Sequence, residues 1–264
     1  ACVLKLTNGR QIFAKLNTLE NGDIFTAEAA GLCAIAATGA IGTPDILGSG
    51  VDTEKKCSFL LMEYIESGSR VRDYWETFAR QLADVHRAVT DELTAGRKYG
   101  FVRDNYIGIR KQKNQVYDSW TEFFRDCRLA PQLEAAGSCF DKTERKKITV
   151  LLDRVEEILV EPAYPSLLHG DLWAGNFITG TDGRAWLIDP AAYVGHREAD
   201  IAMTELFGGF PRTFYDAYRE AAPMQAGYEE RRDLYNLYHL LNHLNMFGGS
   251  YLSGVKRILN RYVM

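Results

Sequence analysis

At 264 residues the chain can bury a substantial core and suits one large domain or two lobes. Its formal net charge of -4, with 25% charged and 46% hydrophobic residues, describes an ordinary globular protein and argues against nucleic-acid binding, which calls for a basic block. No apolar run reaches the roughly 18 residues of a membrane span, and the opening Ala1-Cys2-Val3-Leu4-Lys5 carries no secretory leader pattern, so a cytoplasmic protein is expected.

Val3 to Thr7, Asn8-Gly9 and Arg10 to Leu16 predict a β-hairpin, because Asn-Gly readily takes the positive φ angles of a two-residue turn. Lys15 therefore stands on a strand, where a lysine is ordinarily a solvated face residue. Asp23 can cap a helix through Ala37, with Ile24, Phe25, Ala29, Leu32 and Ile35 forming an apolar stripe and Gly39 closing it. Glu28 falls inside that helix beside apolar neighbours, where an unpaired carboxylate is costly. A strand lysine that reaches nucleotide phosphates, held by a glutamate on the next helix, accounts for both residues and is the ion pair of kinases. Cys33 reads as a small apolar residue on the buried helix face. With Cys2, Cys57, Cys127 and Cys139 it makes an odd, widely spaced set without Cys-x-x-Cys, which predicts reduced thiols and no structural zinc site.

Thr43-Pro44 opens a loop toward a short strand over Ile46 to Val51. Cys57 to Ile65 then forms a continuous apolar strand ending in Glu66-Ser67-Gly68-Ser69. In a two-lobed kinase this is the hinge: the Glu63 carbonyl and Ile65 amide would meet adenine while Met62 lines the back of its pocket. A plain core strand explains the pattern equally well. Asp73 to Val89 repeats Tyr74, Phe78, Leu82, Val85 and His86 at helical spacing, so His86 is expected as a hydrogen-bonded packing residue. Gly100 to Gly108 reads as loop. Helices are predicted over Val116 to Leu133 and Lys142 to Val160, the run Glu144-Arg145-Lys146-Lys147 being a solvated face.

The most informative stretch is Leu167-Leu168-His169-Gly170-Asp171-Leu172-Trp173-Ala174-Gly175-Asn176, followed by Trp186-Leu187-Ile188-Asp189-Pro190. Two apolar segments each end in a carboxylate, with an amide side chain between them. A hydroxyl attacking a γ-phosphoryl group needs an ionised carboxylate to orient it and take its proton, and Asp171 is the candidate base. Magnesium bridging nucleotide phosphates wants hard oxygen ligands while keeping positions for phosphate and water, which Asn176 and Asp189 can supply. The Asp171 to Asn176 spacing is that of kinase catalytic loops. The plainer alternative is a set of turn-forming side chains.

Asp189 to Asp200 is short and contains no Ser or Thr, which suggests a small acceptor and no phosphorylation switch. Asp200 can either cap the helix that follows or anchor the catalytic loop. Asp233 to Phe247 predicts a long helix carrying Tyr235, Tyr238, His239, His243 and Asn245; a His and Asn on such core-like faces are usually packing groups, and His243 is the candidate for substrate contact.

Together these motifs resemble the fructosamine kinase (ketosamine 3-kinase) family. The resemblance rests on Leu168 to Asn176, Ile188-Asp189-Pro190-Ala191, Tyr193-Val194-Gly195-His196, Phe207-Gly208-Gly209-Phe210 and Leu241-Asn242-His243-Leu244-Asn245, and extends to Glu122-Phe123-Phe124 and Pro131-Gln132-Leu133. It implies an α+β, two-lobed protein-kinase-like fold, with a small β-rich N-lobe over 1–66 and a larger, mostly helical C-lobe over 67–264. The implied activity is ATP- and Mg2+-dependent phosphorylation of a ketoamine sugar at its 3-hydroxyl, on a small molecule or a glycated protein side chain, giving an unstable product that releases the amine. Asp171 would be the base, Asn176 and Asp189 the magnesium ligands, Lys15 and Glu28 the phosphate-binding pair, and Trp173 a stacking surface for the acceptor. Family members carry a strand and glycine-rich phosphate loop ahead of the position of Val3, so a segment preceding this chain is expected. Another small-molecule kinase of the aminoglycoside or choline type, or a non-catalytic nucleotide-binding protein, are the alternatives, and a monomer or homodimer is expected.

Overall fold

A computed structural model describes residues 1–19 and 22–263. β1 (Cys2–Lys5) and β2 (Gln11–Thr18) pair antiparallel, but the hairpin between them differs from the expected two-residue turn. Gly9 N donates to Leu6 O at 2.9 Å and Leu6 N to Arg10 O at 2.8 Å, so Thr7, Asn8 and Gly9 form a three-residue loop. Only Gly9 takes a positive φ, of 86°; Asn8 instead accepts from Arg10 N through its side chain. β3 (Ile46–Asp52) and β4 (Cys57–Glu63) complete a sheet in the order β1-β2-β4-β3. β4 lies inside that sheet and alternates strictly, burying Ser58, Leu60 and Met62 on one face.

α1 (Gly22–Ala36) covers the sheet by packing Phe25 and Leu32 against Leu60 and Met62. Asp23 falls inside its first turn rather than at a cap, and its carboxylate accepts from the Tyr106 hydroxyl at 2.7 Å. Cys33 is exposed, contrary to expectation, because the helix turns Leu32 and Ile35 inward and leaves position 33 on the solvent side. Ile35 reaches the core of the larger helical part, so α1 joins the two halves of the molecule.

That core is organised by α2 (Tyr74–His86), which packs Phe78 against Phe177, Phe210 and Phe214 with edge-on or tilted ring contacts. The region expected as loop, Gly100 to Gly108, contains β5 (Asn105–Ile107), which pairs with β6 (Arg110–Gln112) just beyond it; three-residue strands are too short to show alternation. The helix expected from Val116 starts at Trp120, where Ser119 caps it. It then runs as α3 (Trp120–Phe123), a π-helical stretch over Phe124–Leu129 and α4 (Ala130–Ala135). The widened turn carries Arg128 into the interior. There its guanidinium donates to Lys113 O and Asn114 Oδ1, and it lies 3.9 Å from the centre of the Tyr193 ring.

α5 (Lys142–Asp153) and α6 (Val155–Ile158) replace the single helix expected to Val160, broken at Arg154. Within the charged run, Glu144 closes a capping box with Asp141 and pairs with Lys256 at 2.7 Å, so it does more than face water. Two short hairpin-like pairs follow, β7 (Ser166–Leu168) with β10 (Tyr193–Gly195) and β8 (Phe177–Thr179) with β9 (Ala185–Leu187). α7 (Glu198–Leu206), α8 (Arg212–Ala221), α9 (Tyr228–Phe247) and α10 (Leu252–Tyr262) finish the chain, α9 starting five residues before the expected Asp233. Among the described residues no helix is long and apolar enough to cross a membrane.

Candidate active site

β7 is wholly buried in the helical part and ends by delivering His169-Gly170-Asp171 to a cleft beneath the sheet. α7 fixes that loop. Asp200 accepts from His169 N at 2.7 Å and Gly170 N at 2.8 Å, while His86 Nε2 lies 3.2 Å from the same carboxylate. Burial alone would raise the pKa of Asp200, but His86 and the backbone amides outweigh it and hold the carboxyl below its usual range. Of its two expected roles, Asp200 therefore takes the loop anchor, and it sits within the first turn of α7 instead of capping it. His86 is buried between Asp200 and the Tyr218 hydroxyl, a packing residue as expected.

Gly170 has φ 80°, and a side chain there would collide with the Ala191 carbonyl oxygen. Gly170→Ala is therefore expected to melt several degrees below wild type and to lose turnover, since the backbone collision adds to about 1–3 kcal/mol of conformational strain. Wild-type melting behaviour would show that the loop is not held in this way.

Asn176 Nδ2 donates to Asp171 O at 2.7 Å and to Asp171 Oδ2 at 3.0 Å. These bonds occupy the nitrogen of the amide and leave its oxygen as the group available to a cation. Burial pushes the Asp171 carboxyl up to about 7; the Asn176 bond works against that, and the nearby Asp200 and Asp189 charges add to it. Asp189 follows β9 with φ 55°, a left-handed conformation that a non-glycine residue adopts only under constraint. Its Oδ1 lies 2.5 Å from Lys15 Nζ, and the same ammonium meets Glu28 Oε1 at 2.6 Å. Desolvation would lower the Lys15 pKa, but Glu28 and Asp189 together raise it, so Lys15 stays charged. Burial raises the Glu28 carboxyl, and Lys15 pulls it back.

Two adjoining cavities share Lys15 and Asp189. One, of about 270 Å³, is lined by Glu28, Asn105, Tyr106, Asp171, Asn176 and Pro190 as well. The other, of about 290 Å³, is more apolar, bounded by Phe13, Pro44, Met62, Glu63, Tyr64, Ile65, Ile178 and Ile188. The cleft thus has an apolar slot against the end of β4 and a polar end at Asp171. Among the described residues no three His, Cys, Asp or Glu side chains cluster to hold a metal by themselves. Asn176 and Asp189 do offer two hard oxygen donors on one cavity, a set that suits magnesium already carried by phosphates.

The expected base Asp171, the expected nucleotide residues Lys15, Glu28, Met62, Glu63 and Ile65, and the expected metal residues Asn176 and Asp189 all lie on this cleft. Trp173 and His243 line neither cavity. Trp173 is 39% exposed and stands edge-on to Phe207 at 6.4 Å, and Phe207 in turn lies 4.8 Å from the His243 ring. Sequence reasoning missed the β5–β6 hairpin, whose Asn105 and Tyr106 wall the polar end. Gly108, with φ 59° between two isoleucines, was its only local signal.

This fold and cleft define a phosphotransferase of the protein-kinase-like class. The fructosamine kinase family model matches residues 1–264. A probable ketoamine kinase of Synechocystis is 39% identical over 262 residues, covering 97% of this chain and 84% of that one. The chloroplastic protein-ribulosamine 3-kinase of Arabidopsis thaliana is 37% identical, covering 97% and 77%. A crystal structure described as a fructosamine-3-kinase of Haemophilus somnus superposes with a TM-score of 0.86 at 31% identity, covering 97% and 85%. A macrolide 2'-phosphotransferase, with TM-score 0.61 and 16% identity, shares the fold alone. The chain belongs to the fructosamine kinase family.

Proposed function

We propose that this protein is a ketosamine 3-kinase, transferring the γ-phosphoryl group of ATP to the 3-hydroxyl of a ketoamine sugar. The observation that carries this reading is the convergence of Asp171, Asn176 and Asp189 on one cavity beside the Lys15–Glu28 pair. Residues 1–66 serve as the nucleotide lobe and 67–264 as the catalytic and acceptor lobe. The apolar slot takes adenine, with the Glu63 carbonyl and Ile65 amide as its hydrogen-bonding edge and Met62 behind it. Lys15, fixed by Glu28, binds phosphate oxygens.

Asn176 and Asp189 hold magnesium, which supplies charge neutralisation on the phosphates. Asp171 Oδ1, the oxygen that Asn176 does not engage, accepts the proton of the attacking hydroxyl as its oxygen bonds to phosphorus and ADP departs. Trp173, Phe207 and His243 present an aromatic row beside the acceptor, suited to the C–H face of a sugar. The 3-phosphate product decomposes and frees the amine. We read the compartment as cytoplasmic, in keeping with five free cysteines.

A phosphate-release assay with fructosyl-, ribulosyl- and erythrulosyl-amines, free and protein-bound, beside an aminoglycoside and choline, tests the assignment. Magnesium-dependent release with a ketoamine and none with the other alcohols is expected. Turnover of aminoglycoside or choline alone would move the protein to another branch of this fold, and no turnover of any acceptor would reject the enzyme reading.

A further inference from the structure

His239, on α9, is 4% exposed, and its Nδ1 has no hydrogen-bond partner among the described residues. That nitrogen lies 4.0 Å from Asp171 Oδ1. The gap is too long for a direct hydrogen bond. Leaving a buried polar atom unpaired costs about 1–3 kcal/mol, so one standing this close to the carboxylate of Asp171 calls for a group that completes it. The ring is not a loose one. Its neighbour Tyr238 donates to Gln112 Oε1 at 2.5 Å, which ties α9 to β6 beside the imidazole, and within the helix the His239 carbonyl oxygen pairs with His243 Nδ1 at 2.8 Å.

We propose that His239 Nδ1 binds the sugar hydroxyl adjacent to the one being phosphorylated, so that Asp171 and His239 together read a vicinal diol. The inference rests on the kinase assignment, with Asp171 as base. Vicinal oxygens in a gauche arrangement stand about 2.9 Å apart, and two hydrogen bonds of about 2.8 Å from them span a 4.0 Å separation with little distortion. In an open-chain ketoamine carbon 2 is a carbonyl, so the neighbour of the 3-hydroxyl is the 4-hydroxyl. Burial, with the nearby His243 and Arg128 acting in the same direction, pushes the His239 imidazole down to about 3. A neutral ring beside Asp171 offers a hydrogen bond instead of an ion pair, and leaves the carboxylate free for the proton of the 3-hydroxyl. A hydroxyl both donates and accepts, so either imidazole tautomer can meet it.

The test is a cycle between residue and substrate. Wild type and His239→Ala are each assayed for kcat/KM with a ketoamine and with its 4-deoxy counterpart, and the fold of the variant is checked by thermal melting. Wild type is expected to lose about 10- to 100-fold on the deoxy compound. His239→Ala is expected to lose a similar factor on the parent compound and to treat the two substrates nearly alike. His239→Gln, which keeps a hydrogen-bonding group and much of the volume, should recover part of the preference, and His239→Leu, which keeps volume without the hydrogen bond, replaces the alanine variant should that fail to fold. Equal deoxy penalties in wild type and variant would overturn the proposal, as would a wild type indifferent to the 4-hydroxyl. A purely structural role for His239 moves both substrates together and cannot produce the coupling. A wild type that turns over no ketoamine overturns the kinase assignment itself, a result distinct from equal penalties.

Discussion

Replacing Asp171 by asparagine is expected to reduce turnover about 10³-fold while making the protein harder to melt at pH 8. The rate follows from losing the carboxylate that this reading assigns to the hydroxyl proton. The stability gain follows from linkage. Asp171 has its carboxyl raised from 3.8 to about 7, chiefly by burial. A raised folded-state pKa contributes stability that is fully present below the unfolded value and is lost as pH rises through the folded one. At pH 8 the wild type has therefore lost this contribution, up to roughly 4 kcal/mol at about 1.36 kcal/mol per unit. Asparagine never ionises, and its carbonyl oxygen can still accept from Asn176. Melting curves without nucleotide or metal should thus show the variant several degrees above wild type at pH 8, with the gap closing as pH falls toward 4. A variant that melts below wild type at pH 8 would mean that Asp171 is not desolvated as the structure has it.

The second large effect lies away from the cleft. Arg231 on α9 and Glu198 on α7 form a bidentate pair, Nη2 to Oε1 at 2.6 Å and Nε to Oε2 at 2.9 Å, with both side chains buried. Arg231 also donates to the carbonyls of Ala226 and Gln225. Arg231→Met is expected to cost about 3–5 kcal/mol, because it strands the Glu198 carboxylate in the interior. His196 lies 3.8 Å from that carboxylate, and burial together with the Arg197 charge, both of which persist in the variant, opposes its taking up the missing positive charge. Replacing both partners at once, Arg231→Met with Glu198→Leu, should recover most of the loss, since two apolar side chains leave no buried charge unpaired. Thermal melting of the single and double variants decides the point, and a double variant no better than the single would show that the pair is not what holds α7 to α9. The anchor Asp200 lies two residues beyond Glu198 on the same helix, so the single variant should also lose activity at temperatures where it remains folded.

Asp171 and Asp189 were legible as cleft carboxylates because each follows a short apolar run, a pattern confined to ten or so consecutive residues. Lys15 and Glu28 were legible for a similar reason, a charge on a strand and another within an apolar helix, each unexplained by itself. The misses share a different cause. β5 and β6 are three residues each, too short for periodicity to register, and the helix from Trp120 is interrupted by a π-helical stretch that places Arg128 inside. Cys33 was misplaced because Leu32 and Ile35 define the apolar face of α1 without fixing its width, and the cysteine falls just outside it.

What the chain determined by itself is which acidic, amide and basic side chains are available to the cleft, and roughly which element carries each. Those properties belong to residue types and short spacings, so they survive without coordinates. Tertiary structure alone decided the partners. Asp200 could cap a helix or anchor the loop until two amides thirty or so residues away met its carboxylate. His239 and His243 stand one turn apart on α9, and only packing sets the first against Asp171 and the second among Phe207, Phe247 and Tyr251. Contacts between distant segments depend on how whole elements pack, and local pattern carries no record of that.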